Sequence, residues 1–352
     1  MLPETRPLIS IMEEMNKDDK GGINHSISRK KFLRTCGSIV AGGTIAGISG
    51  VLVKKTLTKS EISLENLRPV EKETFVSPYR QISSFATPGI VEGFEWYNDQ
   101  LYVVASNIVS VFDLYGKLLH RFSAGETIRD IAINDEGIYV LYTTKIKVFS
   151  LTGEFIREWE ACSDLSGFCS LALASDCVFV TDVVNKNICK FTKEGDFVKF
   201  INSPNGFIIP SYTFAIEYIG GVLYCSNSGR HQVESYTLEG DYIGSFGKAG
   251  GAPGLFTGCC NPVYLTYTSN GEIITSEKGD PRISCYGSDG KFRSILLDSK
   301  SLGGGNSAYD VKVQKDKIFI AGKNKVSVFR YDEALASKTA CSTCGIDCPL
   351  RT

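Results

Sequence analysis

Three cysteines stand near the C-terminus of the 352-residue chain, in the order Cys341-Ser-Thr-Cys344-Gly-Ile-Asp-Cys348-Pro349. Thiolates with two and three residues between them on a turning backbone can converge on one iron–sulfur cube or one zinc ion. The same thiols can close a disulfide with one thiol left over, or exchange disulfides reversibly. All three readings are open at Cys341, Cys344 and Cys348. Cys177, Cys189, Cys225 and Cys285 lie among Val, Phe, Ile or Tyr and read as small buried hydrophobes. Cys162 and Cys169 flank one loop and could pair, as could either with Cys259 or Cys260.

Histidine offers less. His25, His120 and His231 are the full set, which thins the options for imidazole ligands or acid–base pairs. A net charge of −1 supplies no field for nucleic acid, so a nucleic-acid partner is not expected. The chemistry of the chain therefore depends on what positions its cysteines and scattered carboxylates.

A short pattern repeats along the chain: an aromatic, three residues, a glycine, then a hydrophobic residue two places on. It runs Phe112-Asp-Leu-Tyr-Gly116-Lys-Leu118, then Phe149 with Gly153, Phe191 with Gly195, Tyr236 with Gly240 and Tyr286 with Gly290. The aromatics are 37, 42, 45 and 50 residues apart, and Phe329 follows without a glycine. Each aromatic ends a strand, and the glycine makes a tight turn at positive φ before the next strand. A period near 40–45 with four short strands per unit predicts a β-propeller. Blades are expected over 90–127, 128–166, 167–210, 211–258, 259–306 and 307–334. The last holds three strands and needs the orphan strand 79–86 to reach four. The fold class is thus all-β, a six-bladed β-propeller closed by an N-terminal outer strand.

The propeller occupies residues 79–334, with appendages at both ends. Residues 1–27 read as a disordered leader or a start placed too early, 28–55 as an export signal or membrane anchor, 56–78 as a linker and 335–352 as a Cys-rich tail. Within 28–55, Ser28-Arg29-Lys30-Lys31-Phe32-Leu33-Arg34 precedes the uncharged stretch 36–53, whose 18 residues just suffice to span a bilayer. Export across the cytoplasmic membrane is expected, with the propeller periplasmic or tethered facing outward.

Three resemblances follow from these motifs. Phe179-Val-Thr-Asp182-Val-Val-Asn185-Lys-Asn-Ile-Cys-Lys-Phe191 resembles an NHL repeat, and Tyr224 to Tyr236 is a looser match. That likeness implies a six-bladed propeller, a fold that serves binding platforms, lyases and hydrolases alike. Ser28 to Arg34 is similar to a twin-arginine export signal, with Lys30 in place of the second arginine. The tail resembles the last three cysteines of the bacterial ferredoxin run, with Lys338 where the first would stand, so a complete cluster would need outside ligands.

Propeller ligands meet the channel mouth, and one entrance residue per blade is expected there: Glu92, Arg129, Cys169, Tyr212, Asn261 and Tyr309. His231, Glu277, Asp280 and Arg282 are expected on adjacent loops. This mixed ring suits binding of a protein partner or small ligand and contains no catalytic motif. The sequence therefore favours a binding or assembly platform with a redox or metal tail. The alternatives are a lyase or hydrolase at the channel mouth, and a non-catalytic interaction module with a tail disulfide.

Overall fold

The computed structural model describes residues 75–161 and 163–336. It is a six-bladed β-propeller of four-stranded antiparallel sheets. Strand β1 (Tyr79–Ala86) belongs to the last blade. Blade one holds β2 (Val91–Tyr97), β3 (Gln100–Ala105), β4 (Ile108–Phe112) and β5 (Leu118–Ser123). Blade two holds β6 (Asp130–Asn134), β7 (Gly137–Leu141), β8 (Lys145–Phe149) and β9 (Phe155–Glu160). Blade three holds β10 (Phe168–Leu173), β11 (Cys177–Asp182), β12 (Asn187–Thr192) and β13 (Phe197–Ile201). Blade four holds β14 (Ile216–Ile219), β15 (Val222–Asn227), β16 (Gln232–Tyr236) and β17 (Tyr242–Phe246). Blade five holds β18 (Tyr264–Tyr267), β19 (Ile273–Glu277), β20 (Arg282–Tyr286) and β21 (Phe292–Leu297). Blade six holds β22 (Asp310–Gln314), β23 (Lys317–Ala321) and β24 (Lys325–Tyr331), completed by β1.

The inner strands β2, β6, β10, β14, β18 and β22 touch one another in that order, and β22 touches β2, so the ring is closed. Closure pairs β1 antiparallel with β24, Tyr79 opposite Tyr331 and Phe85 opposite Val326. This explains why Phe329 has no glycine after it. The chain leaves blade six there instead of turning back, and the missing fourth strand arrives from the other end of the sequence.

The repeated glycine has two physical reasons. At Gly153 the backbone has φ +91°, and its N–H donates to Ser150 O at 2.9 Å, closing the turn between β8 and β9. A Cβ there would also lie 2.6 Å from Cγ of Phe122 in the preceding blade. The ring of Phe122 in turn packs on Phe149 at 5.6 Å between centroids. The same approach recurs at Gly116 with Phe85, Gly195 with Trp159, Gly240 with Ile201 and Gly290 with Phe246. The repeat is thus a blade-to-blade joint. Beneath it the cores are aliphatic and aromatic, and Phe94, Tyr139, Phe179, Phe214, Tyr236 and Phe319 are essentially inaccessible. Each such burial contributes about 1.5–3 kcal/mol. Cys177, Cys189, Cys225 and Cys285 are buried in the same layers, as small hydrophobes are.

The NHL-like Asp182 and Asn185 also have a structural task. Asp182 Oδ1 accepts from the N–H groups of Gly167, Val184 and Asn185, and Oδ2 accepts from Asn185 Nδ2 at 2.8 Å. The carboxylate fastens the turn between β11 and β12 to the segment entering the blade. The leader, the 28–55 segment, Cys162 and the tail thiols Cys341, Cys344 and Cys348 lie outside the described residues.

Candidate functional site

Strand alternation sends every second side chain of an inner strand toward the channel. Most inner-strand residues are apolar or hydroxylic, but six carry charge: Glu92 and Glu95 on β2, Asp130 on β6, Glu217 on β14, and Asp310 and Lys312 on β22. Lys312 Nζ lies 2.7 Å from Glu95 Oε2 and 2.9 Å from Glu217 Oε1. Blades one and four face each other across a six-membered ring, so this bridge from blade six spans the bore. The side chains of Lys312 and Glu217 are only 12% and 14% exposed.

The environment moves their protonation. Burial works against the Lys312 ammonium, but Glu217, Glu95 and Asp310 hold it well above the usual lysine value. Burial pushes Glu217 up to about 7, with Lys312 opposing and Glu95 adding to the rise. Asp310 is pushed up to about 8 by burial, against Lys312 and with help from Asp130. Asp130 is also raised by burial, although Lys312 and a hydrogen bond from Ser170 oppose it. Four carboxyl groups thus share one ammonium.

The bridge divides the bore. On the mouth side, Asp130 Oδ2 accepts from Ser170 Oγ at 2.8 Å and from Leu171 N–H at 3.0 Å. Its Oδ1 accepts from Ile131 N–H, and Gly93 leaves the space that this carboxylate fills, since a Cβ there would sit 2.9 Å from Oδ1. Asp310 Oδ1 accepts from Val311 N–H at 2.8 Å. Tyr264 stands with them, and burial together with Asp310, Cys169, Asp130 and Glu92 raises its hydroxyl. On the far side, a cavity of about 170 Å³ is lined by Glu95, Trp96, Thr266, Tyr267, Lys312 and Gln314 among others. Burial, Glu217 and Glu95 push the Tyr267 hydroxyl up to about 12, against Lys312.

The residues expected at the mouth fall into three groups. Glu92, Cys169 and Tyr309 border the upper bore, half-buried. Cys169 Sγ donates to Tyr212 O at 3.3 Å, and burial pushes its thiol up to about 11. Cys169, Cys259 and Cys260 are free thiols, so the pairing that their positions allowed is not formed. Tyr309 Oη donates to Gly304 O at 3.3 Å. Arg129, Tyr212, His231 and Asp280 lie on the surrounding loops, with Arg129 Nε 3.3 Å from Thr143 Oγ1 and His231 Nε2 2.8 Å from Gly258 O. Asn261, Glu277 and Arg282 are buried and committed to one another's neighbourhood. Arg282 Nε donates to Glu277 Oε1 at 2.7 Å, and Asn261 Nδ2 donates to Lys278 O at 2.9 Å. These three hold blade five together and present no free polar face to the channel.

Solved structures place this fold among known propellers. A streptogramin B lyase superposes with a TM-score of 0.51 at 17% identity, covering 72% of this chain and 97% of that one. A catalytically inactive histidine-to-alanine variant of virginiamycin B lyase from Staphylococcus aureus, with quinupristin, gives 0.52 at 14% over 72% and 99%. A protein of unknown function from Bacteroides thetaiotaomicron gives 0.53 at 13%, over 72% of each chain. No protein-family model matches the chain. No curated protein matches it either. The likeness is one of fold.

Asp130 and Asp310 escaped the sequence reading by a matter of register. The entrance positions taken for blades two and six, Arg129 and Tyr309, each stand one residue before the strand that begins at Asp130 or Asp310. A one-residue slip moves a strand's entire set of side chains to the other face. Tyr212 and Asn261 precede their strands by longer, blade-specific loops. The available signal was a charge inside an otherwise apolar inner strand, as in Ile216-Glu217-Tyr-Ile and Asp310-Val-Lys312-Val. Chemically, the bore can accept hydrogen bonds from a cation, and its carboxyls can exchange protons near neutral pH.

Proposed function

We propose that this chain is a binding platform whose channel mouth receives an organic cation, an ammonium or guanidinium group of a small ligand or protein partner. The observation that carries the reading is the excess of carboxyl groups in the bore. Asp130 and Asp310 face the mouth while Lys312 is already engaged by Glu95 and Glu217. Burial, with a smaller contribution from Asp130, favours the protonated form of Asp310; a cation entering there would favour its carboxylate, so binding would release a proton. Among the described residues no three Asp, Glu, His or Cys side chains converge as a metal site requires, which favours an organic cation in the bore. Export and tethering rest on the basic 28–34 and uncharged 36–53 segments, and a metal or redox role for the tail rests on the spacing of Cys341, Cys344 and Cys348.

Calorimetric titration of the full chain with agmatine and putrescine, in two buffers of different ionisation enthalpy, tests the site. Saturable binding with proton release is expected, weakened at least tenfold in Asp130→Asn/Asp310→Asn. Absence of binding by either probe, or equal binding by the variant, would overturn it.

A second reading is favoured by the carboxyl at about 7 beside an ammonium, the arrangement an acid–base enzyme needs. Two of the similar structures are lyases. Lyase turnover of a streptogramin B, lost in Glu217→Gln, would establish that reading, and no turnover by the parent protein would end it for that substrate.

A further inference from the structure

A pair of thiols on the mouth face stands apart from the bore. Cys259 and Cys260 lie on the loop between β17 and β18, with their Sγ atoms 2.9 Å apart. Cys260 Sγ is also 2.9 Å from Ser211 Oγ. Cys259 is exposed and Cys260 is buried, so one thiol meets solvent while the other waits behind it. The loop carrying them is held firmly. Asn261 N–H donates to Ser228 O at 3.1 Å, its Oδ1 accepts from Lys278 N–H at 2.9 Å, and Gly258 O meets His231 Nε2.

Access and ionisation favour different thiols: Cys259 is the one that meets solvent, and Cys260 is the one more readily held as the thiolate that resolves. Burial raises the Cys260 thiol, but hydrogen bonds from Cys259, Ser211 and Lys278 outweigh it and leave Cys260 below the usual value. Cys259 is raised, chiefly by its contact with Cys260. Among the described residues the other thiols are poor competitors. Cys177, Cys189, Cys225 and Cys285 are buried, and Cys169 is engaged by Tyr212 O.

We propose that Cys259 and Cys260 form a reversible dithiol–disulfide site on the channel face, oxidised by a low-molecular-weight disulfide of the glutathione type. The Cys259 thiolate attacks the external disulfide, forming a Cys259 mixed disulfide and releasing one thiolate. The Cys260 thiolate then attacks Cys259 Sγ, forming the Cys259–Cys260 bond and expelling the second. The two protons lost by the cysteines end on the two released thiols, and the external disulfide is the electron acceptor. Adjacent Cα atoms are about 3.8 Å apart across a trans peptide, below the usual disulfide range of about 4.4–6.8 Å. The closed ring is therefore strained and easily reduced, as a switch requires and a structural staple does not.

The test uses the full chain with oxidised glutathione, alkylation and non-reducing peptide mass spectrometry. In the parent, the peptide containing Cys259 and Cys260 should lose two hydrogens, resist alkylation and recover with dithiothreitol. In Cys260→Ser, which keeps a hydrogen-bonding atom toward Ser211, Cys259 should accumulate a glutathione adduct because the resolving thiol is gone. A parent that stays doubly alkylated, keeps a stable adduct at Cys259, or links either thiol to another cysteine would overturn the proposal. So would a folded Cys260→Ser protein without the adduct. Should that variant fail to fold, the parent peptide decides the matter alone.

Discussion

At the hairpin ends of blades one to five the same joint is made five times, a positive-φ glycine against a hydrophobic side chain of the preceding blade. Along the bore no two inner strands present the same set. Blade one offers Glu92 and Glu95, blade two Asp130, blade four Glu217, blade six both Asp310 and Lys312, and blade three the hydroxyl of Ser170. The joint is a packing problem that every blade must solve, so one solution repeats. The bore is the place where all six blades meet, so its charges can differ without disturbing the sheets that carry them. The repeat builds the ring, and the departures from it give the ring a chemistry.

The sharpest way to break this comparison is at Lys312. Lys312→Met leaves Glu95 and Glu217 facing each other without the ammonium that now joins them. Removing one partner of a buried ion pair destabilises by about 3–5 kcal/mol. Without Lys312, Glu217 is pushed further toward its protonated form, so the expected urea midpoint falls most near pH 8, where that proton is hardest to acquire, and less near pH 5. Adding Glu217→Gln to Lys312→Met should recover part of the loss. An unchanged midpoint would show that the bridge is not part of the fold's support.

Next in size is the pH dependence set by Asp310. Its pKa is raised on folding from the ordinary carboxyl value of 3.8 to about 8. Between those limits the folded chain binds more protons at this site than the unfolded chain, so stability declines as pH rises through the window. The contribution is fully present below about pH 4 and lost by about pH 8. Asp310→Asn, which keeps a neutral hydrogen-bonding group, should flatten the decline between pH 5 and pH 8 in urea titrations. An equally steep decline in the variant would assign it elsewhere, to Glu217 or Asp130.

The periphery was legible in the sequence because its requirement is local: a glycine at fixed distance from an aromatic marks both the turn and the joint. Closure was legible too, since a blade one strand short and an orphan strand at the other end fit each other. The bore was not, because a side chain's face depends on where its strand starts, and Arg129 and Asp130 differ by one residue in that respect. Glu277 and Arg282 illustrate the converse error of inference. Charges near a channel mouth suggested a ligand, whereas their 2.7 Å contact stabilises β19 against β20.

Within the periphery, two glycines separate conformational strain from contact. Gly153→Ala meets both a backbone at φ +91° and the ring of Phe122, 2.6 Å from the new Cβ. Gly125→Ala meets φ +93° with nothing within 4 Å. Losses of about 2 kcal/mol and about 1 kcal/mol are expected, respectively. Equal losses would mean that the joint yields freely and that the turn alone demands the glycine.

The smallest effect is expected three residues from the largest. Lys315 Nζ lies 3.0 Å from Asp99 Oδ1, within 0.3 Å of the separations at Lys312, but its partners are 63% and 54% exposed. Water and salt screen such a pair, and holding two long side chains in one geometry offsets what attraction remains. Lys315 holds the Asp99 carboxyl below its ordinary value, so any support from this pair would exist at neutral pH and fade as pH falls. Lys315→Ala should leave the urea midpoint unchanged at pH 8 within error, in low salt and in 0.5 M salt as an order of magnitude. A loss comparable to that of Lys312→Met would mean that separation alone sets the strength of these contacts. The contrast between bore and surface would then lose its physical basis, because burial is what distinguishes the two lysines.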